Sequence, residues 1–216
     1  MPPSADRCQT HSVAAELPIL VLVGGPGGAG KTTLARALAD RLGLVHLSRD
    51  SVKSAIAATD AVIPPDGVPR FDERKARMGG EYGQRAFTAT SAVVAALLDG
   101  GVSAVVDQAW RTGRSEGELE PLITRSRAVL LIASVEPPIA AARVSARGHR
   151  PGLAGLDEVQ SRAGAEWDVF VSFDVGIPRL VVDTTDGYDP ALGDVERWVW
   201  RHVSSTTRPG GGRGVQ

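Results

Sequence analysis

The chain reads as a three-layer α/β fold: a five-stranded, mainly parallel sheet with helices on both faces. Three observations predict it. Five short apolar runs rich in β-branched residues recur along the chain. Helical stretches lie between them. A glycine-rich turn joins the first run to the first helix. The length, 216 residues, suits a single domain able to bury its own core. Hydrophobic residues at 43% and charged residues at 23% exclude a wholly disordered chain.

The elements follow in order. The apolar runs at 18–23 (PILVLV), 44–47 (LVHL), 102–106 (VSAVV), 128–133 (AVLLIA) and 179–182 (RLVV) are too short for helices and read as buried strands. Residues 31–42 place Leu34, Leu38 and Leu42 on one helical face, with Gly43 as the stop. The segments 81–98, 114–126, 137–147, 156–169 and 188–203 also read as helices, and the crossovers between strands are expected to be right-handed. Trp198 and Trp200, with Val199 and Val203, suit a terminal helix packed on the sheet. Residues 59–80 break the rhythm with three prolines, three glycines and dense charge, as a functional loop or a mobile surface segment would. Residues 1–16 and 204–216 read as loose tails around a domain at 17–203.

Composition narrows the partners. The formal net charge of −1, from 24 basic and 25 acidic residues, lacks the basic excess of a nucleic-acid binder. One cysteine, Cys8, excludes an internal disulfide framework and a cysteine-rich zinc site. The four histidines show no metal-ligand spacing, and His46 inside LVHL suits a strand histidine with its hydrogen bonds satisfied. No apolar run approaches the roughly 18 residues of a membrane helix. Asp6, Arg7, His11 and Glu16 do not make a secretory leader, so the expectation is a soluble cytoplasmic protein. Only three of the basic residues are lysines, namely Lys31, Lys53 and Lys75.

Lys31 stands where a phosphate needs it. Gly25-Pro26-Gly27-Gly28-Ala29-Gly30-Lys31-Thr32 matches the G-x-x-x-x-G-K-[ST] P-loop pattern, and Thr33 follows on the helix. Glycines let backbone N–H groups turn inward around a phosphate. The helix opening at Lys31 aims its positive end at the same group. The Lys31 ammonium reaches the β/γ oxygens, and the Thr32 hydroxyl is placed to ligate Mg²⁺. The motif follows a predicted strand and opens a predicted helix, as the pattern demands, so the α/β fold is specified as that of a P-loop NTPase. No N-K-x-D run is present, and no D-x-x-G switch of a Ras-like GTPase follows the third strand. Asp107 is followed by Gln108, where a motor ATPase usually has Glu.

Four short motifs then occur in order. After the P-loop comes Leu47-Ser48-Arg49-Asp50-Ser51-Val52-Lys53, then Val105-Val106-Asp107, then Arg143-x-x-x-Arg147-Gly148 with Arg150 beyond it. Val181-Val182-Asp183-Thr184-Thr185 closes the series. With these motifs, residues 18–185 resemble the small P-loop kinases of the polynucleotide kinase, zeta-toxin and chloramphenicol phosphotransferase type. The resemblance implies ATP and Mg²⁺ and a helical lid at about 143–155. It implies Asp50 as the base that accepts the proton of an attacking hydroxyl, where spacing alone allows a helix N-cap equally well. It gives Arg143 and Arg147, one turn apart, contacts to the nucleotide phosphates; their alternative is a solvated basic face.

Asp107 ends its strand in the Walker B-like position, suited to hold Mg²⁺ or orient substrate, or else to a plain strand-end turn. Lys53, Trp110 and Arg111, with Gln108 and Arg114 nearby, are candidates for the acceptor pocket, or ordinary surface and core. The expected activity is transfer of the ATP γ-phosphoryl group to a hydroxyl of an antibiotic, sugar, nucleoside or other metabolite. A 5′-hydroxyl polynucleotide kinase, a UDP-sugar kinase and a regulatory ATPase without an acceptor stay open beside it.

Overall fold

The computed structural model describes residues 16–67, 70, 72–76, 80–147 and 167–204. Its sheet has five strands: β1 (Ile19–Gly24), β2 (Val45–Ser48), β3 (Ala104–Asp107), β4 (Arg127–Ser134) and β5 (Arg179–Asp183). They lie in the order β2-β3-β1-β4-β5, and every pair is parallel. The helices are α1 (Lys31–Leu42), α2 (Arg49–Thr59), α3 (Glu73–Ala76), α4 (Glu81–Asp99), α5 (Glu116–Ile123), α6 (Pro137–Arg147), α7 (Asp168–Val171) and α8 (Leu192–Ser204). No helix among the described residues is long and apolar enough to cross a membrane.

β1 is buried along its whole length, as a central strand covered on both faces must be. Its side chains alternate between two cores. Ile19, Val21 and Val23 face α1 (Leu34, Leu38) and α8, whose Val195, Val199 and Val203 recur every four residues. Leu20 and Leu22 face α4 (Val94, Leu98) and α5 (Leu119, Leu122). Each such buried side chain contributes roughly 1.5–3 kcal/mol, so the sheet centre, where β1 ends in the glycine turn, is held from both faces.

The observed strands differ from the expected bounds by at most two residues. The last helix starts at Leu192 instead of 188, because Asp189 precedes Pro190 and stays extended. There it exchanges backbone hydrogen bonds with Asp183, at 2.8 and 2.9 Å. The irregular 59–80 segment holds a turn of helix, α3, and a Val62–Arg70 antiparallel bridge. Asp60 ties it to α4 through Arg85 at 3.0 Å. The tails at 1–15 and 205–216, the lid beyond Arg147 and the predicted helix at 156–166 lie outside the described residues.

Gly25 makes the exit from β1 possible. Its φ is +127°, and a Cβ there would stand 2.2 Å from the Ala133 carbonyl oxygen of β4. Gly25→Ala is therefore expected to destabilise the fold by about 2 kcal/mol or more. Urea denaturation followed by circular dichroism checks this through a lowered midpoint at unchanged m-value.

Candidate active site

The turn between β1 and α1 is shaped by backbone packed behind it. Gly28 has φ +82°, and a Cβ there would meet the Ala140 carbonyl of α6 at 2.5 Å. From the β5 side, the buried Thr184 hydroxyl donates to the Ala29 carbonyl at 2.9 Å. Arg143 of α6 fastens the same corner, donating to the carbonyls of Thr184 (2.6 Å) and Thr185 (3.0 Å). The cradle is thus gripped between α6 and the segment after β5, with its glycine backbone left towards the cavity.

Lys31 opens α1 and curls back so that its Nζ donates to the Pro26 carbonyl at 2.7 Å. Burial pushes its ammonium below the usual lysine range. The charges of Asp50 and Asp107 oppose this, while Arg147 and Arg49 add to it. A phosphate arriving here would supply the anion that this site lacks.

Asp107 collects the next set of contacts. Its carboxylate is 2% exposed and accepts from the Thr32 hydroxyl at 2.8 Å and the Ser48 hydroxyl at 3.3 Å; His46 Nε2 lies 2.7 Å from its other oxygen. Sheet register explains the meeting. Ser48 pairs with Asp107 across β2 and β3, and His46, two residues earlier, points to the same side. Ser48 is the N-cap of α2 but makes no side-chain capping bond. Its hydroxyl goes to Asp107 instead.

The donor set fits Mg²⁺. A threonine hydroxyl that gives its proton to a carboxylate keeps its lone pairs for a cation, and Mg²⁺ takes one or two protein oxygens plus phosphates. Among the described residues no group of three or more His, Cys, Asp or Glu side chains could hold a metal alone. That leaves the phosphate-assisted mode as the one the residues suit.

Asp50 lies in the first turn of α2, where its charge favours the helix dipole, and not at the N-cap. It lines a cavity of about 410 Å³ together with Pro26, Gly27, Lys31 and Arg147. The opposite wall comes from Arg49 and Lys53 of α2, Gln84 and Phe87 of α4, and the segment from Gln108 to Glu118. Trp167 and Phe170 border it as well. Burial pushes the half-buried Arg49 guanidinium down. Asp50 pulls it up, Arg114 pushes it down again, and Glu118 opposes that.

The predicted residues divide among these places. Gly25 to Thr33 form the cradle and the start of α1, and Asp50, Lys53, Arg111 and Arg147 reach the cavity. Lys53 donates to the Ala76 carbonyl at 2.6 Å. Trp110 corrects the expectation of a substrate contact. It is 1% exposed and stacks on Phe173 at 6.3 Å in the core, because the turn after β3 sends Arg111 outward and Trp110 inward. Arg143 is not in the cavity lining, since its guanidinium is taken up by Thr184 and Thr185. The expectation missed His46, Ser48 and Thr184. For His46 and Ser48 the signal was present, as their alternation puts them on one side of β2 beside the end of β3.

A parallel sheet in this order, with a glycine cradle beyond its central strand, defines the architecture of the P-loop kinase group. The Zeta toxin family model matches residues 4–155, and the chain belongs to the Zeta toxin family. A Chloroflexus aurantiacus J-10-fl protein provisionally designated a kinase has a structure similar to this one, with TM-score 0.70 at 23% identity, over 87% of this chain and 99% of that one. A sugar kinase from Janibacter sp. HTCC2649 is similar with TM-score 0.54 at 16% identity, over 87% of this chain and 95% of that one. Both likenesses speak to the fold. A stretch of 57 residues is 42% identical to the cytidylate kinase of Geobacter sulfurreducens; it covers 26% of this chain and 24% of that protein, so the match spans about a quarter of the curated relative.

The contact with His46 leads to an expectation. His46→Ala removes a partner from the Asp107 carboxylate without touching the cradle. Mg²⁺-dependent binding of an ATP analogue is expected to weaken about tenfold, with metal-free nucleotide binding unchanged. Calorimetric titration with and without Mg²⁺ checks both halves.

Proposed function

We propose that this protein is an ATP-dependent kinase that transfers the γ-phosphoryl group to a hydroxyl of a small-molecule acceptor. One observation carries the reading: Asp50 and Lys31 border the same cavity, and Asp50 is the strongest attractive charge on the P-loop lysine. A carboxylate so placed stands where an acceptor hydroxyl would meet a phosphate held by the cradle. The near-neutral charge of the chain favours a small acceptor over a nucleic acid.

In this reading the acceptor oxygen attacks Pγ as the bond from Pγ to the β–γ bridging oxygen breaks. Asp50 takes the hydroxyl proton, and ADP leaves. Lys31 and Arg147 offset the charge that spreads over the transferring oxygens. Thr32 and Asp107 would hold Mg²⁺, which neutralises the β and γ oxygens when bound. Ala109 and Arg111 of the cavity lining flank the buried Trp110, which anchors that segment in the core.

Asp50→Asn tests the assignment. The panel pairs Mg²⁺-ATP with sugars, hydroxy acids, UDP-sugars, nucleosides, aminoglycosides, chloramphenicol-type antibiotics and a 5′-hydroxyl oligonucleotide, read by mass spectrometry for a gained phosphoryl group. The variant is expected to lose about 10²–10⁴-fold in kcat, with nucleotide affinity within about twofold of the wild type. Undiminished transfer by the variant overturns the role of Asp50. Nucleotide binding with no acceptor modified favours a regulatory ATPase.

A further inference from the structure

The charge of the cavity is uneven. Among the described residues its lining carries six cationic side chains and two anionic ones. Lys31 and Arg147 belong to the phosphate end. The acceptor wall keeps Arg49, Lys53, Arg111 and Arg114 against Asp50 and Glu118. Lys53 is engaged by the Ala76 carbonyl, and the Arg111 guanidinium lies 5.6 Å from the Phe170 ring centre.

Arg49 and Arg114 are in a different condition. Arg49 donates one long hydrogen bond, 3.3 Å, to the Gly83 carbonyl. Its Nε is buried with no hydrogen-bond partner among the described residues. No acid among them lies within ion-pair distance of Arg49. Asp50 and Glu118 attract it from beyond ion-pair distance, and Arg114 stands near enough to repel it. A guanidinium does not relieve such repulsion by losing its proton. Two like charges converging on a partly desolvated wall, one of them with an open N–H edge, make a seat for an anion. α4 accommodates this arrangement, since a Cβ at Gly83 would stand 3.1 Å from Arg49 Nη2. The same cavity borders Lys31 at the phosphate end and Asp50 beside it, so an anion seated here lies next to the transferring group.

We propose that the acceptor is a hydroxylated anion whose carboxylate or phosphate monoester is bound by Arg49 and Arg114, which sets its hydroxyl against Asp50. The acceptor role rests on the kinase reading; the binding of the anion does not.

The test is therefore one of binding first. The full chain, saturated with Mg²⁺ and a non-hydrolysable ATP analogue, is titrated with matched pairs: gluconate and glucose, shikimate and its methyl ester, glycerol 3-phosphate and glycerol. Calorimetry is the readout. The anionic member of at least one pair is expected to bind about 10- to 100-fold more tightly than its neutral partner. Carboxylate and phosphate pairs separate the two sources of charge. R114Q, at an exposed position that does not threaten folding, is expected to erase the gap, and R49K, which keeps the charge but loses the fork, to reduce it. Equal binding within every pair, a gap unmoved by R114Q, or no anion bound at roughly 10 mM overturns the proposal. ATP then replaces the analogue. An anion bound through Arg114 but never phosphorylated upholds the anion seat and fails the kinase reading. Phosphorylation of a neutral sugar or UDP-sugar with a KM insensitive to R114Q fails the seat and leaves the kinase reading standing.

Discussion

The glycine cradle keeps its shape because carbonyl oxygens leave no room for any side chain behind it. Ala133 in β4 closes on Gly25, and Ala140 in α6 closes on Gly28. The Thr184 hydroxyl completes the enclosure at Ala29. Each of these neighbours is placed by a different part of the fold. β4 is set by its register with β1, α6 by the turn after β4, and Thr184 by β5 reaching the level of Ser134. A phosphate-binding loop is locally nine residues of turn and helix start, but here its conformation is the product of half the sheet. Preorganisation of this kind leaves little backbone freedom to be lost when a ligand arrives.

Asp107 performs the corresponding task on the other side. A carboxylate at 2% exposure needs partners, and it has one in α1 and two in β2. β2 is the outermost strand on that side and is only partly buried. The hydrogen bonds to Asp107 are therefore part of what seats this edge strand, and with it the start of α2 that carries Arg49 and Asp50. Sheet assembly and site assembly share the same atoms.

Much of this was legible in the sequence, for physical reasons. Fully buried parallel strands are continuous β-branched runs, and β1 and β4 read as such. The cradle was legible because few sequences other than a phosphate-binding turn need so many glycines before a lysine and a threonine. What escaped was the aim of side chains in irregular backbone. Trp110 and Arg111 are neighbours after β3, and no spacing rule says which faces the core. Arg143 and Arg147 share a helical face, yet the acceptors that capture Arg143 lie about forty residues away in the chain. The start of α8 escaped as well, since the apolar periodicity runs back past Pro190 while the backbone rule for the residue before proline stops it. His46 and Ser48 show the limit from the other side: the alternation was visible, but its meaning depended on β2 lying beside β3.

The clamp at Arg143 also divides α6 mechanically. Two hydrogen bonds to main-chain carbonyls and one to the Thr184 hydroxyl fix the helix one turn before its described end. Arg147, one turn further on, lines the cavity instead. Two chemically identical guanidiniums on one helical face thus have different employment. One is masonry, spent on holding the scaffold. The other presents its charge to the site that the scaffold shapes.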